Sequence, residues 1–275
     1  MSQDRSIFQG GCFALAALMA CLAPAAQAAE HPVQIVSAGS LKGALTALIA
    51  AFPDGSGFAE PIYGPSGALR ARIEGGQPAD LFTSADMEQP RRLAARKPGA
   101  FVVEFTRNRL CAIARPQAKL TPDNVLERLL DPAMRVATST PGADPSGDYA
   151  WMMFAKAEAA RPGAKAALES KALKLVGTAD SKPLVPGHSA AAGIFLADRA
   201  DVFIAYCSGR RALTEEVPDL VFTPIPASLA PEPAYGMVAL SANPDALRFG
   251  LFVMSEPGQA ILEREGFEPL ARPVQ

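Results

Sequence analysis

Charge imbalance is what the sequence lacks first. Its 26 Lys and Arg against 28 Asp and Glu leave a net charge of -2, so no basic footprint for nucleic acid and no polybasic membrane patch is present. The partner is expected to be small, or a protein. Histidine occurs only at His31 and His188, and there is no Cys-x-x-Cys, so no cluster has metal-ligand spacing and no metal site made of side chains is expected. Gly-x-Ser-x-Gly, the Walker-type phosphate loop and Gly-x-Gly-x-x-Gly are all absent. His188-Ser189 would be a base and nucleophile only with further groups around it, and adjacent side chains seldom point at each other in the required way. An enzyme is therefore not expected. The sequence has no internal repeat, no low-complexity linker, and no apolar run near the roughly 20 residues of a membrane span.

The run that comes nearest, Cys12 to Ala23, is about a dozen residues and is followed by Pro24 and Ala26-Gln27-Ala28, the pattern of a secretory signal cleaved after Ala28. Residues 1-28 read as that signal. Leu18-Met19-Ala20-Cys21 offers the minority alternative of a lipid anchor at Cys21, with Met a poor fit. Cys111 and Cys207 then remain, and whether they pair is open, because sequence positions cannot show that they meet.

From Ala29 onward, short apolar runs alternate with helical patterns, which argues for an α/β fold of two lobes, each a mostly parallel sheet covered by helices. Lobe one is expected over 29-107, lobe two over 108-240, and a return to lobe one over 241-275. Val33-Gln-Ile-Val reads as a strand, after which Leu41, Ala44, Leu45, Leu48 and Phe52 fall at helical spacing. The same alternation places helices after Ser66, Ser146 and Ser189, strands at Asp80-Ser84, Asn108-Ala114, Arg135-Thr138, Asp201-Tyr206 and Tyr235-Leu240, and one final helix carrying Phe249, Phe252, Val253, Ile261 and Leu262.

Ser40, Ser66, Ser146 and Ser189 each stand at a strand-to-helix turn. Serine there commonly caps its own helix. A helix N-terminus also offers unpaired N-H groups and about half a positive charge, and ligands of open α/β sheets sit beyond the carboxyl ends of the strands. Asp80 and Asp86 could pair for acid-base work, or serve as a turn cap and a solvated carboxylate.

Ala38-Gly-Ser-Leu-Lys-Gly-Ala-Leu45, the stretch Leu69 to Asp86 with its Pro-Ala-Asp-Leu-Phe-Thr-Ser-Ala-Asp, and Ile204-Ala-Tyr206 resemble the periplasmic molybdate-binding proteins of ABC importers. The resemblance spans nearly the whole chain after residue 28. It implies a type II periplasmic-binding-protein fold, a monomer whose cleft holds molybdate or tungstate with no further cofactor, and a membrane permease as partner. Ligand positions would fall on Ser40, Ser66 and Tyr206 by side chain, and on backbone groups near Ser146 and His188. Asp144-Pro-Ser-Gly147 and Pro186-Gly-His-Ser189 depart from the pattern, so another cargo (sulfate, phosphate, a chelated metal) or a ligand-free interaction or sensory protein stays open. His188 would present either a backbone donor or a proton-dependent contact.

Overall fold

The computed structural model describes residues 31-53, 57-178 and 180-270. The expected signal, its cleavage point and Cys21 lie outside these residues. Among them, no helix is long and apolar enough to cross a membrane.

The chain forms two five-stranded sheets covered by helices. The first lobe contains β1 (Ile35–Ala38), α1 (Lys42–Ala51), β2 (Ile62–Gly64), α2 (Ser66–Glu74), β3 (Leu81–Ser84), α3 (Glu88–Ala94) and β4 (Val102–Arg107). The second contains β5 (Leu110–Ala114), α4 (Val125–Leu130), β6 (Val136–Ser139), α5 (Pro145–Ala160), α6 (Ala164–Lys171), β7 (Leu173–Val176), α7 (Ala190–Leu196), β8 (Val202–Tyr206), α8 (Arg210–Glu216) and β9 (Val221–Pro224). The chain ends with β10 (Ala234–Ala239), α9 (Pro244–Met254) and α10 (Glu256–Arg264).

The strand orders are β2-β1-β3-β10-β4 and β7-β6-β8-β5-β9. In the second sheet β5 takes the place that β10 holds in the first, so each lobe borrows one strand that arrives across the hinge. That strand runs against its neighbours. β10 is antiparallel to β3 and β4, and β5 to β8 and β9, while the remaining pairs are parallel. Four strands of each sheet therefore run the same way and only the borrowed one opposes them, so each sheet is mostly parallel, as the strand-helix alternation suggests, with one antiparallel insertion. The borrowed strand also moves a boundary: β10 belongs to the first sheet, so the return to lobe one comes before residue 241. The two crossings run side by side, with Asn108 N-H donating to Pro233 O (2.9 Å).

Apolar periodicity decides which helix faces are buried. α1 turns Ala44, Leu45 and Leu48 inward, and α5 buries Ala150, Met153, Phe154 and Ala157. In lobe one, Phe52, Phe58, Phe249 and Phe252 pack edge to face, with 5.1 Å between the Phe58 and Phe249 centroids. In lobe two, Cys111 on β5 and Cys207 just after β8 form a disulfide, their Cα atoms 5.1 Å apart. Where apolar spacing suggests one last helix, the chain makes two. Ser255 turns extended between α9 and α10 and accepts the Gly258 N-H (3.4 Å). A Cβ at Gly258 would stand 2.1 Å from Phe252 O, so only glycine fits this corner.

Candidate functional site

A cavity of about 590 Å³ lies between the lobes, at the ends of β1, β2, β6, β7 and β8. Ser40, Ser66, Ser146 and Tyr206 all line it, together with Ser139, Asp144, Gly177, Ser189 and Glu216. Neither Lys, Arg nor His is among the lining residues.

Ser66 is 1% exposed and begins α2 without capping it, since the N-cap is Pro65 and no side chain takes the first-turn amides. Its Oγ accepts the Ala85 N-H (3.1 Å), tying α2 to the turn after β3. A hydroxyl that accepts there keeps its own hydrogen to donate, and the amides of the first turn of α2 have no partner within the helix. The hydroxyl and the amides therefore offer donors on one wall.

Ser40 sits in a 3₁₀ turn ahead of α1 and likewise caps nothing. Its Oγ meets the Tyr235 hydroxyl at 3.0 Å. Tyr235 also accepts from Asn108 Nδ2 (3.1 Å), and Asn108 Oδ1 accepts the Arg109 N-H (2.8 Å), which fixes the orientation of that amide. With one lone pair so engaged, the tyrosine can donate to Ser40 and free the serine hydrogen for a ligand. The relay runs from the hinge to the cleft.

The second lobe is built differently. Asp144, not Ser146, is the N-cap of α5, and its Oδ1 accepts the Ser146 N-H (3.2 Å). Gly147 N-H is taken by Asp144 O (2.9 Å). The backbone donors expected near Ser146 are thus engaged by the helix's own cap. Pro145 at the first helical position is the signal that marks the residue before it as the cap. What α5 leaves free is the Ser146 hydroxyl, which is buried (5% exposed) and has no hydrogen-bond partner. Tyr206 Oη, at the end of β8 and 7% exposed for the residue, is also without one. Tyr235 lies near enough to couple to it electrostatically but outside hydrogen-bonding geometry. Burial pushes the hydroxyls of Tyr206 and Tyr235 well above the usual tyrosine range, so both remain O-H donors at neutral pH.

His188 is not brought into the cleft. Its N-H goes to Val185 O (3.3 Å), and its ring Nδ1 meets Glu216 Oε2 (3.1 Å) on the exposed side. The neighbouring Ser189 does line the cavity, but it caps α7 by accepting the Ala192 N-H (3.2 Å), and its own N-H is held by Glu216 Oε2 (2.9 Å). The amides of His188 and Ser189 are therefore occupied, whereas those of Ala190 and Ala191, which also line the cavity, open α7 and have no partner within the helix. Asp80 and Asp86 do not pair as acid and base. Asp80 is buried and accepts Gln34 N-H (2.8 Å) and the Ser241 hydroxyl, while Asp86 accepts Gln89 N-H (2.9 Å) at the start of α3. Neither is the solvated carboxylate foreseen.

The family model for bacterial extracellular solute-binding protein matches residues 33–268, nearly all of the described chain. The chain belongs to this family. A relative from Pasteurella multocida (strain Pm70), uncharacterized protein PM1146, is 35% identical over 242 residues, covering 86% of this chain and 98% of its own. Two solved structures share the fold. The sulfate-binding protein SubI of Mycobacterium tuberculosis H37Rv has a TM-score of 0.68 at 20% identity, covering 87% of this chain and 88% of that one. The periplasmic molybdate-binding protein of Azotobacter vinelandii has a TM-score of 0.66 at 18% identity, with 88% and 100% covered. The solute-binding cleft of such a fold lies between its lobes, where the unpartnered hydroxyls are found here.

Asp144, Asn108 and Tyr235 are the site residues that sequence reasoning missed. Only Asp144 carried a local signal.

Proposed function

We propose that this solute-binding protein captures a tetrahedral oxyanion, with molybdate or tungstate foremost, and delivers it to an ABC permease in the periplasm. The observation that supports this most is the pair of buried, unpartnered hydroxyls, Ser146 Oγ and Tyr206 Oη, in a cavity without a basic side chain. An unsatisfied buried hydroxyl costs about 1 to 3 kcal/mol, which a ligand that accepts from both would return. Ser40 and Ser66 donate from the opposite wall. Each hydrogen bond to a charged acceptor contributes about 1.5 to 3 kcal/mol, so a handful of aligned neutral donors offsets dehydration of a dianion without a cation.

The cleft is wider than one oxyanion, so closure of the lobes brings the two walls onto it. Donors fixed on rigid elements fit one radius, which favours molybdate over sulfate and scarcely separates molybdate from tungstate. The protein works as a monomer with no cofactor besides its cargo. Thermal unfolding with molybdate, tungstate, sulfate and phosphate tests this. Saturation to about 100 times the dissociation constant should add about 2.7 kcal/mol for molybdate and tungstate. Stabilisation by sulfate or phosphate alone would change the cargo, and none by any anion would remove the oxyanion reading.

A further inference from the structure

Asp144 is a feature that a cleft of donors for a dianion does not require. Two carboxylates line the cavity, Asp144 and Glu216. Glu216 is paired: the Ser189 N-H and His188 Nδ1 both meet its Oε2, and against the opposing effect of burial Ser189, and then His188, hold its carboxyl below its usual range. Asp144 has no cation among the lining residues. Its Oδ1 accepts one amide, and its other oxygen and Cβ press against Gly177 so closely that a Cβ there would stand 2.9 Å from Asp144 Cβ. The side chain is held at the wall, because the left-handed Gly177 (φ 93°) closes the space behind it. The charged and titratable groups that face it are acids: Asp148 from its own helix, Asp86 across from the first lobe, Tyr206 from β8, and Glu216 on α8 along the same wall. An ionised Asp144 would share this cleft with a bound dianion and repel it.

We propose that binding of an oxyanion in this cleft takes up one proton, and that Asp144 holds it; this rests on the oxyanion reading above. A neutral Asp144 keeps its role as cap, since the carbonyl oxygen still accepts the Ser146 amide, and it adds an O-H donor where the anion needs one. The free protein is poised for this step. Burial is the main cause that raises the Asp144 carboxyl to about 6, with Asp148 and Asp86 adding to it and the Ser146 amide and Ser139 hydroxyl opposing it. At pH 7.5 the free carboxyl is mostly ionised, so a complex that holds it neutral must draw close to one proton from solution. Below pH 6 the proton is already present and affinity levels off.

The test is calorimetry of molybdate and sulfate in buffers of different ionisation enthalpy, from pH 6 to 8.5. Wild-type protein should take up close to one proton per anion at pH 7.5, with affinity falling about tenfold per pH unit above 6. Asp144→Asn should abolish the uptake, flatten the pH profile, and bind up to about a hundredfold more tightly at pH 8. His188→Gln should leave the proton count as it is. Binding by wild-type protein without proton uptake, uptake that persists in Asp144→Asn, or its loss in His188→Gln would each overturn the assignment while leaving the oxyanion reading intact. No heat from either anion would overturn that reading, and this inference with it.

Discussion

In the first lobe the 3₁₀ turn after β1 and the helix α2 begin at the cleft without a side-chain cap, while the serines beside them are engaged, Ser40 with Tyr235 and Ser66 with the Ala85 amide. In the second lobe the arrangement is reversed. α5 and α7 are capped by Asp144 and Ser189, and of the cavity-lining hydroxyls those of Ser146 and Tyr206 are left without partners. The two lobes share a strand order, so the difference lies in the side chains at equivalent turns. On the proposed oxyanion reading the two halves divide the work: the first wall presents amides and pre-oriented hydroxyls, and the second keeps buried donors for the ligand to satisfy. An ion would dock on the first wall and draw the second onto it.

The largest effect that breaks the comparison acts on the second lobe's frame. Cys111–Cys207 joins residues 96 apart, and nearly all of lobe two from β5 to β8 lies between them. Cys111→Ala with Cys207→Ala should therefore cost about 2 to 5 kcal/mol of stability. Hydrogen exchange should rise first in β6, β7 and β8, while the aromatic cluster of lobe one stays protected. Equal loosening of both lobes would mean that they unfold as one unit.

The next largest effect concerns approach of the walls. Gly67, in the first turn of α2, faces the loop before α5 so closely that a Cβ would stand 3.0 Å from Ala143 O. Glycine here lets the first lobe touch the second. Gly67→Val should prop the cleft open, lowering anion affinity by about tenfold or more, a loss of about 1.4 kcal/mol or more, with little change in unfolding temperature. Unchanged affinity would show that closure does not pass through this contact.

Much of the fold was legible in the sequence because its signal is local. The apolar spacing of Leu41 to Phe52 and of Ala150 to Ala157 marks the faces that α1 and α5 bury, and period-two or continuous apolar runs mark the strands. The shared strand order was not legible. It depends on where β5 and β10 insert, which pairing across the hinge decides and no segment encodes alone. At the site, the serines were found, but which of them cap their helices was not legible, for the same reason. Ser189 is a cap, but Ser40, Ser66 and Ser146 are turned toward partners or space supplied by Tyr235, Ala85 and the opposite lobe. His188 stays out of the cleft because Glu216, distant in sequence, takes its ring and Val185 O takes its N-H.

The smallest expected change in stability is also the one that separates the two walls most cleanly. Ser66→Ala removes the acceptor of the buried Ala85 amide, so it should lower stability by about 1 to 3 kcal/mol and weaken anion binding as well. Tyr206→Phe removes a hydroxyl that has no partner in the free protein, so the folded state loses no hydrogen bond and sheds an unsatisfied group. Its stability should stay level or rise by about 1 kcal/mol. Binding is another matter, because the same hydroxyl would donate to a charged acceptor worth about 1.5 to 3 kcal/mol, and affinity should fall by about tenfold to a hundredfold. Ser146→Ala should follow Tyr206→Phe for the same reason. Chemical denaturation and calorimetry on all three variants measure both quantities. If Tyr206→Phe lost stability as Ser66→Ala does, the tyrosine hydroxyl would have a partner in the free protein, and the division between a satisfied wall and an unsatisfied one would fall.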